Sequence, residues 1–362
     1  MTDKNALLEA LEKHKEETKK EGINKTEKSN NFMEDFFSTA KEDYDEFDQK
    51  AWSKGEGYKL PRFKTIEEKL EGLESGLYLF AGESNCGKTA SMMNILFDAC
   101  SCEDNKLFGI YYSLDDSKQE VIPRIIAMNQ QIPIGVAAKP QRYKNRLEDD
   151  KEGNFIIKEQ LEKRQQGLEQ LKALNKHFKI TDSNKIRCAE DMYDHIKAAY
   201  TYVKAYDEDY NLIIAIDAMN DIRFKNKKLS AGEELNAEIA KTIKGWTVEF
   251  NAPIFGSCHL RKINANRRPV LDDLKNSIEY VYESSVVFLV YNDVSKNSEA
   301  ANIFYYMEGS EEKQPILELD WAKNKKSSFK QKTFYSFVPE YSRLSETSEE
   351  DTKRFSALIF EN

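Results

Sequence analysis

Short unbroken apolar runs alternate along this chain with longer stretches in which apolar residues recur every three or four positions. The runs read as strands buried on both faces, the stretches as amphipathic helices. The pattern predicts strands over 77–81, 108–114, 178–182, 212–217, 253–258 and 286–291. Between them it predicts helices over 89–99, from the second strand to 128, and over 156–177, 189–204 and 233–250. This alternation predicts an α/β fold around a central, mostly parallel twisted sheet. Residues 302–307, 316–322 and 333–338 lose the helical spacers and predict C-terminal hairpins.

The two ends read differently. Residues 1–58 predict a helical extension and linker: a charged helix with Leu7, Leu8 and Leu11, then a second with Phe32, Phe36, Phe37 and Tyr44 on one face. Such apolar positions need a covering surface, from the chain's own core or a neighbouring copy. Residues 59–344 form the core, and 345–362 read as an acidic, disordered tail.

Composition narrows the class. With 40% hydrophobic and 32% charged residues, the chain has the balance of a soluble protein. No apolar run reaches the ~18 residues of a membrane span, so no membrane partner is expected. The five cysteines (Cys86, Cys100, Cys102, Cys188, Cys258) lack zinc-ligand spacing and read as reduced cytoplasmic thiols. The net charge of −9 argues against a strongly basic nucleic-acid binder, although the local field at the binding loops decides.

The chemistry concentrates in Gly82-Glu83-Ser84-Asn85-Cys86-Gly87-Lys88-Thr89, which fits G-x-x-x-x-G-K-S/T at every position. Phosphate oxygens need convergent N–H donors and a cation. The glycines let the backbone wrap the phosphates, and the following helix adds its dipole. Lys88 is expected to reach the β- and γ-phosphates of ATP, and the Thr89 hydroxyl to ligate Mg²⁺. A P-loop also needs an acid on a neighbouring strand. The run 212–217 ends in Asp217, the expected second Mg²⁺-site residue.

The order of motifs then resembles the ATPase domain of DnaB-type replicative helicases. Residues 70–90 (LEGLESGLYLFAGESNCGKTA) resemble the family's first motif and 111–128 (YYSLDDSKQEVIPRIIAM) its second. Residues 255–262 (FGSCHLRK) are similar to the third motif, and 274–293 (LKNSIEYVYESSVVFLVYND) match the fourth in length. The resemblance implies a RecA-like P-loop core. It also implies a ring-forming ATPase that moves on single-stranded DNA or unwinds it, with a loader or primase as possible partner, in a bacterial or phage-infected cell. Asp115 stands where the family has a catalytic Glu; the alternative is that Asp115 and Asp116 only cap the following helix. His259 stands at the family's sensor, where phage helicase-primases and Twinkle carry His; a lone His is otherwise a structural residue. Residues 322–334 (AKNKKSSFKQKTF) look more like RecA's own Lys-x-Lys segment than the helicase Lys-x-Arg. Lys323 and Lys325 are thereby implied to reach the γ-phosphate of a neighbouring subunit. The alternative is a solvated basic hairpin.

Two short basic runs occupy the family's channel-loop positions: Arg223, Lys225, Lys227 and Lys228 after the Asp217 strand, and Arg261, Lys262, Arg267 and Arg268 after His259. They are expected to track a phosphate backbone. Ser277 is followed by Ile278 where the family has Ser-Gly, and the N-terminus resembles no primase, zinc ribbon or collar. Two other functions fit the same residues: a filament-forming RecA-type recombination ATPase, and a regulatory ATPase without nucleic acid.

Overall fold

The computed structural model describes residues 44–49, 51–52, 57–147, 154–263, 267–307 and 309–360. The chain divides into two compact units, 1–56 and 57–362. In the first unit, residues 44–49 and 51–52 are helical. The predicted helices over 5–20 and around Phe32, Phe36 and Phe37 lie outside the described residues.

The second unit is built on one ten-stranded sheet. In chain order the elements that frame the sheet are β1 (Gly76–Gly82), α1 (Lys88–Ser101), β2 (Leu107–Ser113), α2 (Lys118–Gln130), α3 (Asn154–Leu174), β3 (Phe178–Asp182), α4 (Ala189–Tyr206), β4 (Asn211–Asp217) and α5 (Glu233–Glu249). They continue with β5 (Pro253–His259), β6 (Val286–Asn292), α6 (Asp293–Lys296), β7 (Phe304–Tyr306), β8 (Lys313–Asn324), β9 (Lys332–Val338), β10 (Arg343–Glu346) and α7 (Glu349–Phe360). The strand order is β10-β9-β8-β6-β1-β5-β4-β2-β3, with β7 paired to β8. From β6 to β3 the strands are parallel, and β8, β9 and β10 add an antiparallel meander.

The apolar runs are unbroken because both sheet faces are covered. Along β1, Tyr78 and Phe80 enter the core on one face, while Leu77, Leu79 and Ala81 enter the core on the other. Strand β6 divides likewise, with Val286, Phe288 and Val290 opposite Val287 and Leu289. Helix starts follow local chemistry. Before α2 a capping box forms, in which the Glu120 carboxylate accepts from the Ser117 backbone N–H at 2.9 Å.

The C-terminal segment corrects an expectation. The sequence predicts a disordered tail over 345–362, yet Arg343–Glu346 extends the sheet and Glu349–Phe360 is a helix. The acids that suggest disorder are its start signal. Glu349, Glu350 and Asp351 occupy the first turn, where the helix dipole favours negative charge. The Ser348 hydroxyl accepts from the Asp351 N–H at 3.0 Å. Phe355, 2% exposed, is packed with Ile303, Ile316 and Phe334.

Candidate nucleotide site

Parallel strands carry their connecting loops on one edge of the sheet, and that edge gathers the predicted chemistry. Gly82 pairs with His259 across β1 and β5, and Ser113 pairs with Asp217 across β2 and β4. The loop 82–87 therefore opens beside the ends of β5 and β4. Two of its glycines are required sterically. A Cβ on Gly82 would meet the Val290 carbonyl oxygen at 2.8 Å, and Gly87 caps α1 at φ +107° against Leu317. Lys88 is 6% exposed and its Nζ donates to the Glu83 carbonyl at 2.7 Å. The lysine is thus curled over the loop that would hold phosphate.

Thr89 and Asp217 meet as expected: Thr89 Oγ1 donates to Asp217 Oδ2 at 2.6 Å. Sequence reasoning misses two other partners of this carboxylate. Tyr111 OH donates to Oδ2 at 2.9 Å, and the Ser257 hydroxyl donates to Oδ1. Burial, and then the Asp217 charge, hold the Tyr111 phenol well above its usual range, so it stays a donor. The only signal for either residue is its place in an apolar strand, each of which turns out to flank the strand that Asp217 ends. An oxygen-only pair of this kind suits a hard divalent ion. No cluster of three His, Cys, Asp or Glu side chains is found among the described residues. Mg²⁺ held by Thr89 and Asp217 would take its remaining ligands from phosphate and water.

The two adjacent acids after β2 part company. Asp116 is ion-paired with Arg124. The Asp115 carboxylate is exposed and carries no hydrogen bond among the described residues, while its N–H reaches the Asp217 carbonyl at 3.3 Å. His259 donates its backbone N–H to Asn220 Oδ1 at 3.3 Å. Partial burial and the Lys88 charge lower its imidazole pKa, against the pull of Asp115, Asp217 and Asp221. The ring is therefore neutral at pH 7, with one donor and one acceptor nitrogen.

Lys323 and Lys325 lie elsewhere. Strand β8 runs antiparallel to β6, pairing Lys323 with Val287 and Asn324 with Val286, at the end where β6 begins. The P-loop lies beyond the other end of the seven-residue strands, about 20 Å away. Lys323 Nζ donates to the Val281 and Tyr282 carbonyls. Its pKa is lowered to about 8, first by burial and then by the neighbouring Lys325 charge. Lys325 is exposed.

The basic loops are largely neutralised from within. Arg267 meets the Asp273 carboxylate at 2.7 Å through both terminal nitrogens, and Arg261 meets it at 3.2 Å. Arg267 above all holds Asp273 far below the usual carboxylate range. Arg268 forks onto Glu318 at 2.7 Å twice. Lys225 pairs with Asp191 and Lys227 with Glu238, while Arg223 donates to the Asn220 and Ile222 carbonyls. Lys228 and Lys262 are exposed and have no carboxylate partner among the described residues.

One link joins the P-loop to the second basic loop. Glu83 accepts from the Ile263 N–H at 3.0 Å and from Lys296 Nζ at 2.6 Å, and Lys296 also reaches the Ile263 carbonyl at 2.8 Å. Sequence separations of 180 and 213 residues conceal it.

The family model for the "DnaB-like helicase C terminal domain" matches residues 61–346. A "Probable replicative DNA helicase" of Trieres chinensis is 25% identical over 261 residues, 67% of this chain and 52% of the relative. A "Replicative DNA helicase DnaB" of Mycoplasma pneumoniae is 25% identical over 274 residues, 68% of this chain and 53% of the relative. The chain thus spans about half the length of these curated relatives. A solved structure described as an "ATPase Domain" superposes with a TM-score of 0.66 at 18% identity, covering 85% of this chain and 98% of the other. "The Structure Of A DnaB-Like Replicative Helicase And Its Interactions With Primase" gives 0.64 at 18%, covering 85% and 66%. The fold is that of these RecA-like ATPase domains.

Proposed function

Because this chain belongs to the DnaB-like helicase C-terminal domain family, we propose that it hydrolyses ATP between the subunits of a ring and uses the reaction to move along single-stranded DNA and unwind duplex. The observation that carries this reading is the division of cationic chemistry between two ends of one sheet. Lys88, Thr89, Asp217, Asp115 and His259 stand at one end, and Lys323 and Lys325 at the other. A cation about 20 Å from its own P-loop is out of reach of a nucleotide held there, so any nucleotide it serves lies on another copy.

The roles follow from position. Loop N–H groups from Gly82 to Thr89 and the Lys88 ammonium cradle the phosphates. Mg²⁺ at Thr89 and Asp217 would neutralise phosphate charge. Asp115, open and unpaired, orients the attacking water. His259, at the strand end beside the P-loop, senses the γ-phosphate. Lys325 of the next copy, with Lys323 behind it, stabilises charge on the transferred phosphoryl group. Glu83 passes the state of the P-loop through Lys296 to the second loop, where Lys262, with Lys228 of the first, contacts the DNA backbone. Arg261, Arg267 and Arg268 instead hold the loop's shape. A loader or primase is the expected kind of partner: one similar solved structure is described as a helicase with its primase.

The test is ATP turnover with and without an oligo-dT strand, together with electron microscopy of stained particles. Closed six-membered rings and turnover raised by the strand are expected. Helical filaments, or turnover indifferent to the strand, would replace this reading with one of the other two.

A further inference from the structure

A groove runs along the β3 edge of the sheet, four strand spacings or about 19 Å from β1. β2 and β3 form its floor and α4 its wall, bordering an open cavity of about 640 Å³. Lys118, Lys176, Lys179 and Lys185 line it, with His195 and Tyr202. A second cavity of about 290 Å³ shares Phe108, Lys176 and Tyr202 and continues to Tyr206 and Tyr210. Among the described residues, no Asp or Glu lines either cavity. That is unexpected in a chain with 63 acids against 54 bases. Lys179 bonds the neutral Asn175 side chain at 2.8 Å, and Lys118, Lys176 and Lys185 have no carboxylate partner among the described residues. The nearby Asp182 carboxylate is turned to the Lys118 backbone N–H at 3.0 Å. The contrast with the two basic loops is direct, since most of their cations are already paired.

We propose that this groove binds a single strand of nucleic acid, as a site separate from the two basic loops. Four ammonium groups with no carboxylate partner among the described residues supply phosphate contacts, and each displaces counterions from the strand. Tyr202 and Tyr206 are 63% and 69% exposed, and their rings offer faces on which bases stack. His177 and Tyr210, which line the second cavity, are already stacked on each other at 5.5 Å. An acidic peptide would satisfy the lysines but leave both tyrosine faces unused, so the nucleic acid is favoured. The site carries no base-edge code, and binding is indifferent to sequence.

Oligo-dT carrying 5-iodouracil, photo-crosslinked to the full chain and mapped by peptide mass spectrometry, tests this. Cross-links at Tyr202 or Tyr206 are expected, and they persist in a K228A/K262A variant. In parallel, fluorescein-labelled oligo-dT is titrated into K118A/K176A/K179A/K185A across a salt series. The slope of log K against log salt should fall by about 3, at about 0.7 per lost phosphate contact. Turnover without DNA should stay unchanged, which shows that the variant folds. Cross-links confined to 222–232 and 260–270, with an unchanged slope, would overturn the proposal. So would poly-glutamate, but not oligo-dT, shielding the four lysines from acetylation, which indicates an acidic peptide instead. Cross-links in the groove with none in the loops would leave this site standing and remove the channel contacts of the proposed function.

Discussion

Replacing Arg268 with Ala separates a structural role from a DNA-binding one. Glu318 is 1% exposed and both its oxygens are engaged by Arg268 at 2.7 Å. Truncating the arginine leaves a buried carboxylate without its counter-charge, which costs about 3–5 kcal/mol. The Arg268 side chain is itself 26% exposed, which favours the lower end, about 3 kcal/mol, or about two decades in the folding constant. With a urea m-value of about 3 kcal/mol/M, the unfolding midpoint should fall by about 1 M. The defect also carries a pH signature. Burial raises the Glu318 pKa above its unfolded value, and Arg268 opposes this. A carboxyl with a raised folded pKa favours the folded state below its unfolded pKa, and that advantage is lost as pH rises through the folded value. Without Arg268 the folded value rises further, so R268A should be closest to the unmodified chain near pH 5 and furthest from it near pH 8. Adding E318L, which removes the stranded charge, should restore most of the loss. A wild-type urea midpoint in R268A at pH 8, combined with weakened DNA binding, would refute the structural assignment.

The other predictions concern turnover. D115N should lower ATP turnover by about 10²–10⁴-fold with nucleotide affinity retained, as for loss of a group acting on the attacking water. D116N, which breaks only the partly solvated pair with Arg124, should cost about 1 kcal/mol of stability and spare turnover; the reverse ranking would exchange the two roles. Lys323, with its pKa near 8, is charged below that pH and loses its charge above it. Turnover should therefore fall on the alkaline side of pH 8, and K323R, which does not titrate there, should abolish the fall. An alkaline limb that survives in K323R belongs to another group.

How much of the molecule is legible in the sequence depends on how local each signal is. The six parallel strands are visible because a strand covered on both faces must be apolar throughout. The P-loop is visible because its glycines, lysine and threonine sit within eight consecutive positions, and Asp217 because it terminates an apolar run. Pairings across long separations are not visible. Arg268 and Glu318 are 50 residues apart, and nothing in a basic run distinguishes a free cation from one already spoken for. Glu83, Ile263 and Lys296 meet only because β1, β5 and β6 end at the same edge. The C-terminal helix is hidden because acids signal both disorder and a helix start, and the difference lies in Phe355 just beyond them.

The claim that the nucleotide lies between copies of this chain is tested most directly by mixing two inactive variants. K88A lacks a working P-loop and K325A lacks the cation it would lend to its neighbour. Each alone should turn over little ATP. In a one-to-one mixture, about a quarter of the head-to-tail interfaces would join an intact P-loop to an intact Lys325. Turnover well above either variant alone is the predicted result. A mixture no more active than its components, or K325A as active alone as the unmodified chain, would contradict a site shared between subunits.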